Sequence, residues 1–312
     1  TPSNSSAASD VYKRQIKTSI YWAVNALVLF GGSLVAMPDI RPLGPFGGDV
    51  RSLAVHPLRP QRVFLGTADG QLYVSENWGA LWSKLKPGLN RRELVIDSLI
   101  FDPANPDILY AGGWELKSDR GALFRTTDGG KSWIRMDLGR FESSIRAVAV
   151  APTDPSIIAV GINEGVLLST DGGLKWNRIT RGYRSLYKVH SLTFDPQDSH
   201  VLYVGTWRLA WKTTDLGKSW KPIHNGMFWD SDLFSIQIHP QKTSVIFAGA
   251  CSGIYRSLNG GGRWVKLKNG IPGRAKRTRA VRIDPAEPRI VYSGTTAGLY
   301  PVSYTHLTLP TN

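Results

Sequence analysis

The chain has 312 residues, 42% of them hydrophobic, and a formal net charge of +14. That is enough apolar material for a large core, and the single cysteine, Cys251, excludes an intrachain disulfide framework. The Lys and Arg residues are spread along the chain and form no compact basic motif, so the charge argues against a nucleic-acid partner.

The ends share no patterning with the middle. Residues 1–15 and 301–312, including Ser6 to Gln15 and Val302 to Asn312, resemble translated sequencing-adaptor read-through and are expected to stand outside the fold. On that reading the chain is a fragment of a longer one. Residues 16–37 hold an apolar run from Ile20 to Ala36, interrupted by Asn25 and Ser33 and preceded by Lys17. The run is long for a signal-peptide core and marginal for a membrane span, so an export signal or signal anchor is expected. The alternatives are a buried strand, or an upstream frame with the true start at Met37. The export reading implies a secreted, periplasmic or cell-surface protein whose contact with a membrane is through this segment.

From residue 44 to residue 300 the chain repeats. The octapeptide Ser/Thr-x-Asp/Asn-x-Gly-x-x-Trp occurs at Ser75 to Trp82, Thr126 to Trp133, Ser169 to Trp176, Thr213 to Trp220 and Ser257 to Trp264. Its third positions, Asn77, Asp128, Asp171, Asp215 and Asn259, lie 51, 43, 44 and 44 residues apart. A second marker, a proline closing an alternating apolar run, stands at Pro57, Pro103, Pro152, Pro196, Pro240 and Pro285. A fixed period in this range means one supersecondary unit per repeat. The fourth repeat shows its grammar: Val189 to Phe194 alternates as a strand, and Asp195 and Pro196 turn the chain. Val201 to Gly205 is a second, nearly apolar strand, Ala210 to Thr213 a third, and Trp220 opens a fourth. Four strands per repeat of about 45 residues is a propeller blade. The fold class is therefore all-β: a β-propeller of four-stranded antiparallel blades, five complete and a truncated sixth.

The octapeptide is similar to the Asp box, and the chain resembles the BNR/Asp-box propellers. These include sialidases, the sortilin ectodomain, xyloglucanase-like glycoside hydrolases and the photosystem II stability/assembly factors. The box residues have structural uses: Asp or Asn accepts turn N–H bonds, Gly supplies positive φ, and Trp packs between sheets. Asn77, Asp128, Asp171, Asp215 and Asn259 are therefore read as structural. No metal or cofactor is expected, since Thr126 to Gly130 lacks the extra carboxylates of a calcium loop.

The resemblance puts the functional face at the entries to the first strands and at the second-to-third loops, opposite the boxes. Counting back six residues from each marker proline gives Arg51, Asp97, Arg146, His190, Phe234 and Arg279; the loops add Asp69, Trp114, Glu115, Glu164, Trp207, Arg208 and Ser252. Arg51, Arg146, His190, Trp207, Arg208 and Arg279 are the candidate ligand-binding residues. Three Arg on separate blades suit a carboxylate or a sulfate or phosphate ester; the competing expectation is that Arg51, Arg146 and Arg279 pair with Asp97, Asp69 and Glu164 across a channel. The main reading is an extracytoplasmic binding module for a protein, peptide or acidic glycan, because the regular blades and short loops look most like the photosystem II assembly factors. The alternative is a glycoside hydrolase of xyloglucanase-like or sialidase-like type. Ala68-Asp69-Gly70 resembles the acidic first-blade turn of xyloglucanase-like enzymes, with Asp97, Glu115 or Glu164 as partner carboxylate. The Phe/Tyr-Arg-Ile-Pro motif of sialidases is missing.

Overall fold

The computed structural model describes residues 44–45, 48–268 and 277–303. The apolar run at 16–37 and the end segments 1–15 and 304–312 lie outside the described residues. Six antiparallel sheets follow one another along the chain, and among the described residues there is no helix. Five sheets have four strands and the sixth has three, giving a six-bladed β-propeller with a three-stranded last blade. Within each sheet the strands pair in sequence order. The first strands are Val50–Val55, Leu94–Phe101, Ala147–Val150, Val189–Phe194, Leu233–Ile238 and Thr278–Ile283. The third strand of blade six runs Gly298–Ser303, three residues past the end of the sequence pattern.

The order of burial follows the order of strands. Second strands such as Val63–Thr67, Ile158–Ile162 and Leu202–Thr206 are buried throughout. Fourth strands are only two or three residues long and mostly exposed, which shortens the sheet edges where stray pairing would start. Each apolar cluster lies between consecutive blades. The first joins Phe64 and Leu72 of blade one to Leu94, Ile96 and Leu109 of blade two. Blades approach so closely here that the second strand must thin out. A Cβ on Gly66 would fall 2.6 Å from Ile96, and one on Gly161 would fall 2.5 Å from Val189, each in the next blade.

Polar turns fix both ends of the strands. The residue before each marker proline is often an acceptor: Asp102 Oδ1 takes the N–H groups of Ala104 and Asn105, and His56 Nδ1 takes those of Leu58 and Arg59. The octapeptides all close alike. Thr213 Oγ1 donates to Asp215 Oδ1 at 2.7 Å and accepts from Gly217 N at 2.9 Å, while Ser219 N donates to Asp215 Oδ1 at 2.9 Å. The same bonds recur at Asn77, Asp128, Asp171 and Asn259. Trp133 and Trp176 donate to Gly130 O and Gly173 O of their own turns, while two other octapeptide Trp residues tie blades together. Trp220 Nε1 donates to Ile179 O at 3.1 Å and Trp264 Nε1 to Ile223 O at 2.7 Å, each acceptor lying in the preceding blade.

Candidate functional site

Antiparallel order separates two ends of the propeller. Marker-proline turns and octapeptides lie at one end; the entries to the first strands and the second-to-third loops lie at the other. At that second end the register of the inner strands breaks. In blade one the pairing skips from Val50 to Ser52, in blade four from Val189 to Ser191, in blade five from Leu233 to Ser235 and in blade six from Thr278 to Ala280. The skipped residues are Arg51, His190, Phe234 and Arg279. In blade two the skip from Val95 to Ser98 contains Asp97. A bulge frees its residue from the ladder and re-aims its side chain. Here the bulges place one side chain per blade at the axial end, and Arg146 stands just before the first strand of blade three. The bulges are held from the loops: Trp207 N donates to Lys188 O and Cys251 N to Asp232 O, both at 3.0 Å.

The side chains so placed form two groups of contacts. Asp97 is the hub of one half. It accepts from Arg51 Nε at 3.0 Å, Arg146 Nη1 at 3.1 Å and Trp114 Nε1 at 2.6 Å. The Arg146 guanidinium also lies 4.2 Å from the centre of the Trp114 ring, a cation–π contact. The other half is aromatic. His190 stacks on Phe234 at 6.1 Å with 17° between the planes, and meets Trp207 edge-on at 6.1 Å. Arg279 covers the Phe234 ring at 4.3 Å, and Lys188 covers the Trp207 ring at 4.3 Å. Burial first, and then the Arg146 charge, lower the His190 pKa to about 4, with Asp97 opposing the shift. The imidazole is thus neutral at pH 7.

The remaining expected residues divide. Glu115 is committed to Arg91 at 2.5 Å and to the Ser118 hydroxyl at 2.7 Å. Asp69, which is exposed, accepts from Thr67 Oγ1 at 2.5 Å. Arg208 faces Asp230 at 3.6 Å, an exposed pair. Ser252 bonds Ser231 and the Tyr255 hydroxyl. Glu164 is exposed at the tip of its hairpin. The expected pairing of three Arg with three separate carboxylates takes a different form: Arg51 and Arg146 converge on Asp97. Among the described residues no carboxylate forms an ion pair with Arg279, and neither Asp69 nor Glu164 forms one with any cation. Lys188 was not foreseen in the sequence. It has a positive φ of 48° next to the bulge, which swings it over Trp207. Among the described residues no group of His, Cys, Asp and Glu could hold a metal.

No family model matches the chain. By sequence it is similar to a probable oligoxyloglucan-reducing end-specific xyloglucanase of Neosartorya fischeri, 32% identical over 83 residues, 26% of this chain and 10% of that protein. It is also similar to a xyloglucanase of Hypocrea jecorina, 27% identical over 158 residues, 44% of this chain and 18% of that protein. Among solved structures, an ancestral GH74 enzyme superposes with a TM-score of 0.67 at 20% identity, over 82% of this chain and 39% of its own. YCF48 from Cyanidioschyzon merolae superposes with a TM-score of 0.52 at 14% identity, over 83% and 97%. The chain therefore spans less than half the length of the xyloglucanases and the GH74 enzyme. What it shares with its structural neighbours is the β-propeller fold, of the kind built by GH74 enzymes and YCF48.

Proposed function

We propose that this propeller handles an oligosaccharide in the manner of a glycoside hydrolase, holding the glycan across its axial end. The observation that carries this reading is the contact chain Arg51–Asp97–Arg146–Trp114 beside His190, Trp207, Phe234 and Arg279. Sugars are recognised by flat aromatic faces together with fixed polar groups, and this end supplies both. Trp207, 43% exposed, is the platform. Similarity to proteins named as xyloglucanases supports an oligosaccharide as the substrate class. It favours this reading over a purely protein-binding module.

Hydrolysis requires a carboxylate able to exchange a proton with the glycosidic oxygen or with water. Asp97 has its oxygens committed to two guanidiniums and an indole, and Glu115 is committed to Arg91. Asp69 is the candidate that remains open to solvent, with Glu164 as the second exposed carboxylate. The test is calorimetric titration with xyloglucan oligosaccharides, followed by an assay for new reducing ends. Trp207→Ala is expected to weaken binding about tenfold or more, by loss of an aromatic platform. Asp69→Asn is expected to stop cleavage and leave binding in place. Absence of binding to any oligosaccharide would overturn the reading.

A further inference from the structure

The charge around His190 is unbalanced. The charged groups that act most strongly on its ring are Arg146, Arg279 and Lys188 against the single carboxylate of Asp97. That carboxylate is already shared with Arg51. Arg279 and Lys188 are held on aromatic faces, at Phe234 and Trp207, and among the described residues neither makes an ion pair. Asp232 acts on Arg277 first and on Arg279 less. Farther out, Arg208 and Asp230 satisfy each other. The ring that all these groups surround carries no charge of its own at neutral pH.

Like charges gathered around a half-buried ring repel, and an arriving anion relieves that repulsion while gaining charge-assisted bonds. A neutral sugar hydroxyl gains much less from the same groups. The two poised cations rest on two different ring neighbours of His190, Arg279 on Phe234 and Lys188 on Trp207. We propose that the cation cluster around His190 is a carboxylate clamp, taking the acid group of a uronic acid residue among Arg279, Arg146 and Lys188 while Trp207 supports the adjoining sugar. This rests on the saccharide reading above and narrows its ligand to an acidic glycan.

The test is calorimetric titration of the full chain with an oligogalacturonide and with the same oligosaccharide after its carboxyl groups have been reduced to alcohols. The acidic form is expected to bind about tenfold tighter or more, and to lose that advantage as salt rises. Arg279→Gln and Lys188→Gln are each expected to weaken binding of the acidic form more than that of the reduced form, so that the difference between the two shrinks. Two separate variants on the rim, each checked by its melting curve, keep the test independent of folding in any one of them. An anion placed over His190 also raises its pKa, so binding near pH 5 should take up protons, read as an enthalpy that depends on the buffer. His190→Phe should abolish that uptake. Equal affinity for the acidic and reduced forms would overturn the clamp and leave the saccharide reading standing. Binding of neither form, nor of a neutral xyloglucan oligosaccharide, would overturn both. So would an Arg279-dependent affinity for an acidic peptide in the absence of any saccharide binding.

Discussion

His190 sits where burial and charge act in the same direction, and its titration has a consequence for stability. In the unfolded chain it protonates near 6.5, and in the fold only near 4. Above pH 6.5 both states are neutral and stability is full; between 6.5 and about 4 the unfolded chain takes up the proton first, so stability falls. His56 and His239, whose pKa values burial also lowers, act in the same direction. We expect melting temperature to decline across this window and His190→Phe to flatten the decline; an unchanged slope would show that the ring is not held neutral by the fold. The octapeptide carboxylates act at lower pH. Bonds from Ser219 and then Thr213 lower Asp215 to about 2, so its contribution is present above 3.8 and is lost as pH falls towards 2. At neutral pH, Asp215→Ala should lower the melting temperature. Asp215→Asn should lower it less, because Asn77 and Asn259 accept the same backbone bonds in their own turns. An Asn variant as unstable as the Ala variant would mean that the negative charge matters more than the acceptor.

At the scale of the strand, the turns were legible because their chemistry is local. A Thr, an Asp and a Gly within five residues suffice to close an octapeptide turn, whatever lies around it. Counting back from the prolines also located the axial residues, because the turn fixes where each strand begins. What alternation could not reveal is the bulge. Strict alternation in Val50–Val55 would keep Arg51 within the ladder, yet the pairing passes over it. Lys188 was missed for the same reason, since its position depends on a backbone irregularity that no period encodes. The glycine facing each bulge is the other half of this device. Ser52 pairs with Gly66 and Ser191 with Gly205, and in blade three, whose pairing has no bulge, Ala147 pairs with Gly161. Gly161→Ala would drive a methyl group into Val189 and is expected to cost about 1–3 kcal/mol by overpacking, measured as a shift in the denaturant midpoint. A neutral result would mean that the blades separate more easily than their packing implies.

Across the whole molecule, the octapeptide turns and the proposed recognition site stand at opposite ends of the strands. Trp220 and Trp264 of the octapeptides bond their blades to the preceding ones, at the end away from the axial side chains. Trp264→Ala, which removes a side chain only 2% exposed and its bond to Ile223, should cost about 3–5 kcal/mol. Measured below the lowered melting temperature, its affinity for an oligosaccharide should match the wild type. A loss of affinity there would show that the two ends are coupled. The sequence by itself determined the repeat, the strand order within a blade and the blade count, because each follows from local turn chemistry and the period of apolar residues. It also picked out Arg51, Asp97, Arg146, His190, Phe234 and Arg279 as one register. Only the tertiary structure decided what that register does. Which cation meets Asp97, which rests on an aromatic ring and which ring sits neutral between them depend on the approach of side chains 44 to 49 residues apart in blades packed side by side. Those contacts lie across blade boundaries, where a one-dimensional pattern carries no distance.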